Sequence, residues 1–217
     1  MSTPSHRTRH SPAGLPAVAA RAMLLLLCGC AAGPRTFRGP GPGVPVGSVV
    51  AVVPLVNLTD NETAPRLITE KLLLELGRLH HFQVQDPGIV LGYLRELRIL
   101  VPDRMSREQM AELGSRSGAQ YFLVGTIADC RSGENTPAGV PVAAVSLRLV
   151  HAASGTVAWA GSLARTGTDR ETFFGLGKVR TLDRLSADIA RDLVRGIRGI
   201  DRIGPPLAAS ARRKEQP

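Results

Sequence analysis

Aromatic residues are scarce in this chain, with one Trp, two Tyr and five Phe making up 4% of 217 residues. A core based on stacked rings is excluded, so Leu, Val, Ile and Ala must supply the buried surface. Cysteine is limited to Cys28, Cys30 and Cys130. The first two fall in an amino-terminal segment with the marks of a leader. That leaves Cys130 alone in the body of the chain, too few for a disulfide framework or a thiolate metal site. Acidic residues are missing from the first 29 positions, where Arg7, Arg9 and Arg21 stand. The apolar stretch 22–29 is too short for a membrane-spanning helix, which takes about 20 residues.

What is present there is a basic head, a short apolar middle and small residues at a cut site, the pattern of a secretory signal. The run Leu27-Cys28-Gly29-Cys30 resembles a bacterial lipobox. By that resemblance, residues 1–29 are removed and Cys30 becomes an acylated first residue. Anchoring through more than one acyl chain is stable, whereas one chain holds only marginally. Cys28 fits poorly as the modified residue because bulky Leu27 precedes it.

The net charge of +9 suggests nucleic acid at first sight. Three of those charges belong to the leader. The carboxy-terminal segment, with Arg212, Arg213, Lys214 and Glu215, carries more of the excess. An exported protein does not meet nucleic acid, so that role is set aside. The tail reads as a solvated basic end that anionic headgroups would attract.

The remainder divides into a Gly/Pro-rich tether at 30–47, one domain at 48–203 and the basic tail at 204–217. Fully extended, residues 31–47 reach about 50–60 Å. Val49-Val50-Ala51-Val52-Val53 is a continuous β-branched run, as in a strand covered on both faces. Thr59 and Glu62 have capping-box spacing ahead of a helix carrying Ile68, Leu72, Leu76 and Leu79. Phe82-Gln83-Val84-Gln85 reads as a short strand. Asp86-Pro87 opens a helix, Ser106 with Gln109 opens another, and Ser117-Gly118 closes it. Tyr121 to Ile127 is a second apolar strand, and Cys130 near its end reads as a small buried residue. Two more strands form a hairpin turning at Ala153-Ser154-Gly155. A long terminal helix carries Leu182, Leu185, Ile189, Leu193, Ile197 and Ile200, and Gly204-Pro205-Pro206 ends it. The expected fold is a single α/β domain: a mixed, mostly five-stranded sheet with flanking helices, a carboxy-terminal hairpin and a long last helix.

Several of these segments occur together in an order that resembles a known family. They are Val49 to Leu55 with Asn57; Leu113-Gly114 with Gly118-Ala119-Gln120-Tyr121; and Ser154-Gly155-Thr156-Val157 with Trp159. Together they resemble the curli-secretion lipoprotein (CsgG-like) superfamily, whose relatives include the penicillin-binding-protein activator LpoB and the amino-terminal domain of TolB. The resemblance implies a non-enzymatic, lipid-anchored protein of the cell envelope that binds other proteins and needs no cofactor. Ala31 after the lipid cysteine places it, by analogy with enteric bacteria, on the outer membrane facing the periplasm. Two narrower roles compatible with the family are an oligomeric secretion-channel subunit and an activator of a penicillin-binding protein. The channel role requires extra membrane hairpins. Residues 130–143 are too short and proline-rich for one, and residues 163–179 do not alternate.

No enzyme motif is complete in the sequence. Gly114-Ser115-Arg116-Ser117-Gly118 has Arg116 where a nucleophile elbow needs Ser. Gly175-Leu176-Gly177-Lys178 lacks P-loop spacing. His80 and His81 are helix-end neighbours that point apart. Asp60, Glu62 and Asp129 could meet in a crevice at a sheet end. Asn57 and Asn61 each begin a glycosylation-type triplet but read as turn and cap residues. For a partner surface the candidates are Phe173 and Phe174, aromatics in a chain with few, and Arg191 and Arg195 on the basic stripe of the terminal helix. Asp188 and Asp192 lie at pairing distance on that same stripe.

Overall fold

The computed structural model describes residues 33–39, 43–172 and 175–198. Seven strands and four α-helices make up this part. The strands are β1 (Arg35–Arg38), β2 (Val49–Val52), β3 (Val56–Asn57), β4 (Gln83–Val84), β5 (Tyr121–Arg131), β6 (Val142–His151) and β7 (Val157–Thr166). The helices are α1 (Ala64–Arg78), α2 (Pro87–Glu96), α3 (Arg107–Ser117) and α4 (Leu182–Ile197). They form one mixed sheet of order β1-β7-β6-β5-β2-β4, with β3 paired to β5 beyond the end of β2. β2 runs parallel to β4 and β5, and β3 is also parallel to β5. β5, β6 and β7 form an antiparallel meander, and β1 joins its outer edge antiparallel to β7. The sheet is open, with β1 and β4 at its edges.

Each apolar run goes where its pattern sends it. β2 and the first half of β5 are buried on both faces, which explains their unbroken hydrophobic sequence. Val50, Val52 and Leu123 join a core with Leu72 and Leu76 of α1 and Ile189 and Leu193 of α4. Ala51, Val53, Phe122 and Val124 meet Val90, Leu94 and Leu113 of α2 and α3 on the opposite face. β6 alternates buried and exposed residues from Val145 to Leu149, so only its first face is covered there. Helix starts also follow local chemistry. The Asp86 carboxylate accepts from the Gly88 and Ile89 N–H groups, and Ser106 and Gln109 form a reciprocal capping box. Gly118 ends α3 in the left-handed conformation, φ 74°.

The single mixed α/β sheet with flanking helices agrees with expectation, but the strand count is seven rather than five. One added strand is β3, two residues long. The other is β1, which lies inside the stretch 30–47 read as a tether. Its register runs from Arg35 opposite Ser162 to Arg38 opposite Trp159. All four residues are exposed, so no hydrophobic pattern marked it. Its backbone is fixed by pairing, and charged ends protect such an edge. Five residue steps separate Cys30 from Arg35, a span of about 17 Å at most. The expected capping box of Thr59 and Glu62 is not formed. α1 starts later, after Thr63, with Pro65 in its first turn. Residues 1–32 and 199–217, with the leader, Cys30, Ile200 and the tail, lie outside the described part, as do Phe173 and Phe174.

Candidate functional site

β5 continues beyond the end of β3, so the loop leading to α1 lies along its exposed last turns. Side chains shape that loop. Asn57 donates through Nδ2 to the Asn61 carbonyl at 2.9 Å, and its Oδ1 accepts from the Thr59 hydroxyl at 2.8 Å. Asn61 in turn accepts from the Thr63 hydroxyl at 2.8 Å and donates through Nδ2 to the Cys130 carbonyl at 3.2 Å. Both triplet asparagines are thus engaged within the fold, as turn residues. This bonding replaces the expected cap, because Thr59 is bonded to Asn57 and its hydroxyl receives the Asn61 N–H instead of capping α1.

Between this loop and β5 lies a crevice of about 780 Å³, whose walls include Asp60, Asn61, Glu62, Asp129, Arg131 and Asn135. The three acidic residues singled out by sequence do meet here. Their roles differ. Arg131 donates to both oxygens of Asp129, from Nε at 2.8 Å and from NH2 at 2.7 Å. That bidentate contact holds the Asp129 carboxyl below its ordinary range and raises the guanidinium. Asp60 and Glu62 stay exposed at the rim. The Cys130 thiol points into the core, and burial first, then the Asp129 charge, pushes its pKa up. A thiol held protonated is a poor nucleophile. Among the described residues no group of three or more His, Cys, Asp or Glu is placed to hold a metal ion. His80 bonds the Arg78 carbonyl and His81 stands edge-on to Phe82. The crevice can offer carboxylates and amide groups to a polar partner.

The basic stripe of α4 is engaged with carboxylates. Arg191 contacts Asp188 at 2.7 Å and reaches Glu75 of α1 at 3.6 Å. Arg195 contacts Asp192 at 3.4 Å but stays largely exposed. Asp192 also receives Arg165 from β7 at 2.6 Å and Arg170 from the following loop at 2.8 Å. The network ties α4 to the sheet and to α1. Sequence reasoning paired Asp188 and Asp192 with their helical neighbours. It missed Arg165 and Arg170, which come from other elements and share no spacing with α4. It also missed Arg131, although the Asp129-x-Arg131 spacing puts both on one side of a strand.

A mixed, open sheet with helices on both faces, cross-linked by ion pairs, defines a small α/β domain. The sequence model of the peptidoglycan-synthase activator LpoB matches residues 41–164, and the chain belongs to that family. The match spans β2 through most of β7. Comparison with curated protein sequences gives no match.

Several solved structures are similar to this chain. The PelC dodecamer from Paraburkholderia phytofirmans superposes with a TM-score of 0.51 at 20% identity, covering 76% of this chain and 96% of that one. Lipoprotein GNA1162 from Neisseria meningitidis gives 0.48 at 16%, covering 65% and 93%. The LpoB C-terminal domain from Escherichia coli gives 0.43 at 21%, covering 58% and 87%. At 20% identity the PelC likeness is one of fold alone.

Proposed function

We propose that this chain is a lipid-anchored envelope protein that binds and activates a peptidoglycan synthase. The family match over residues 41–164 carries the reading. The lipobox-like Leu27-Cys28-Gly29-Cys30 supports an acyl anchor at Cys30, and Ala31 supports the outer membrane as its site, facing the periplasm. The glycan chemistry then belongs to the synthase, and this chain supplies contact energy. An activator works by binding the active state of its target more tightly than the inactive one. Tenfold activation needs a difference of about 1.4 kcal/mol, within reach of a few good side-chain contacts.

The proposed contact surface is the region around α4 and the loop before it. Arg195 is exposed there, and Arg170, three positions before Phe173 in the sequence, contacts the same Asp192 that Arg195 touches. Arg191, held by Asp188, lies one turn before Arg195 on the same helix. With at most about 17 Å of extended chain between Cys30 and β1, the partner has to approach the membrane that holds the anchor. Affinity capture of the full chain tests this reading. A penicillin-binding protein should be retained by wild type and lost on Arg195→Glu, and retention of none would count against it.

A second reading rests on the PelC dodecamer, whose fold this chain shares across nearly all of that protein. In that reading this chain is a subunit of a homo-oligomer, the secretion-channel role that the family resemblance allows. Light scattering on detergent-extracted protein separates the two, since a stable ring favours assembly and a monomer excludes it.

A further inference from the structure

α2 and α3 cover only part of the second sheet face. At the end of α2 a groove of about 460 Å³ opens among Pro54, Leu91, Leu94, Ile99, Leu100 and Pro102. Its lip is apolar and bare, with Leu100 91% exposed and Val101 48%. Arg95 and Arg98 border the groove, and Arg104 ends the short helical turn Pro102–Arg104 beside it. All three arginines are exposed, and among the described residues no carboxylate pairs with any of them. Of the nearby acids, Glu96 faces Arg116, and Asp103 has a carboxyl oxygen buried without a partner. Solvated surfaces scatter their exposed apolar residues, whereas here two adjoin an apolar groove with a cationic rim.

Such a rim fits a surface that is anionic outside and apolar just beneath, which is a bilayer with acidic lipids. The strand register favours the bilayer over an acidic protein. Arg35 lies opposite Ser162, Ser162 opposite Ser146, and Ser146 opposite Thr126, which also faces Val56. The chain therefore joins the sheet at the level of Val56, two residues after Pro54 of the groove. About four strand spacings, or about 19 Å, separate the two points along the sheet. Cys30 precedes Arg35 by five residues, at most about 17 Å. A bilayer holding acylated Cys30 therefore lies within reach of the level at which the groove opens.

We propose that Leu100 and Val101, flanked by Arg95, Arg98 and Arg104, dock on the anionic surface of the membrane that holds the anchor. The inference rests on acylation at Cys30. Docking on the side of α2 turns the outer surfaces of α1 and α4, which cover the opposite sheet face, away from the bilayer. The proposed synthase contact is then presented to the periplasm.

The test uses the full acylated chain in vesicles of phosphatidylethanolamine with a minority of phosphatidylglycerol. An environment-sensitive fluorophore is attached to Leu100→Cys or, as a control, to Leu74→Cys on α1. Lipids with brominated acyl chains should quench the label at 100 several-fold more than the label at 74. Changing Arg95, Arg98 and Arg104 together to Gln should remove at least half of that difference. Equal quenching at both positions, or none at 100, would overturn the proposal. So would a label at 100 that lipid leaves untouched but that crosslinks to a protein in cells. Mass spectrometry of the amino-terminal peptide separates the two layers. Acylated Cys30 without quenching refutes the docking alone, and unmodified Cys30 refutes the anchor and the docking with it.

Discussion

Arg165 of β7 meets Asp192 of α4 at 2.6 Å, with the two side chains only 10% and 12% exposed. The contact is a close charge pair rather than an aligned hydrogen bond, since that guanidinium nitrogen has no partner of good hydrogen-bond geometry. Removing Asp192 would leave Arg165, Arg170 and Arg195 facing one another. Asp192→Ala should therefore cost about 3 kcal/mol, more than an exposed pair would. Urea denaturation checks this. In a cycle with Arg165→Met, the double variant should be less destabilised than the sum of the singles.

Trp159 is the single tryptophan and is fully buried. Gly161, two residues along β7, leaves room for its ring. A Cβ at 161 would come within 2.4 Å of Trp159 Cζ2. Gly161→Ala should cost about 1–3 kcal/mol through overpacking. Tryptophan emission should shift in the native state. A variant of unchanged stability and unchanged emission would show that the ring has space to move.

The Asp129–Arg131 contact gives an acid-side dependence of stability. The folded carboxyl titrates below its ordinary value, and the hydrogen bond from Arg131 is the main cause. Its contribution is therefore present above the unfolded carboxylate pKa and is lost as pH falls through the lower folded value. Both groups are partly exposed, so solvent screening keeps the effect small. Thermal melts from about pH 6 to about pH 2 should show a shallower acid decline in Asp129→Asn than in wild type. Parallel declines would contradict this assignment.

Cys130 should resist alkylation in the native chain and react once the chain is denatured. Its side chain is fully buried and its thiol pKa is raised. Iodoacetamide labelling with and without urea reads this directly, and rapid native labelling would mean that the end of β5 opens.

Much of the fold could be read from local signals. The β-branched run of β2, the Asp86 cap, the Ser106–Gln109 box and the Ser154-Gly155 turn each act within a few residues. What escaped depends on distant partners. β1 has all four residues exposed and is defined only by its pairing with β7. β3 exists because β5 runs eleven residues, long enough to pair beyond β2. Thr59 and Glu62 had the right spacing for a cap, but Asn57 and Asn61 offered the loop stronger local bonds. The crevice was legible only as three acids. Bringing them together required the register shift between Ile127 and Asp129, which no spacing in the sequence reveals. The α4 network shows the same limit, since Asp192 is satisfied by arginines from β7 and the following loop as well as from its own helix.

Activation of a peptidoglycan synthase is measured most directly by glycan polymerisation. The full acylated chain is mixed in lipid with each purified penicillin-binding synthase of its bacterium, and the rate of glycan chain growth is followed. A several-fold rise with one synthase, abolished by Arg195→Glu and not by the conservative Arg195→Lys, is the expected result. Unchanged rates with every synthase would contradict the proposed function.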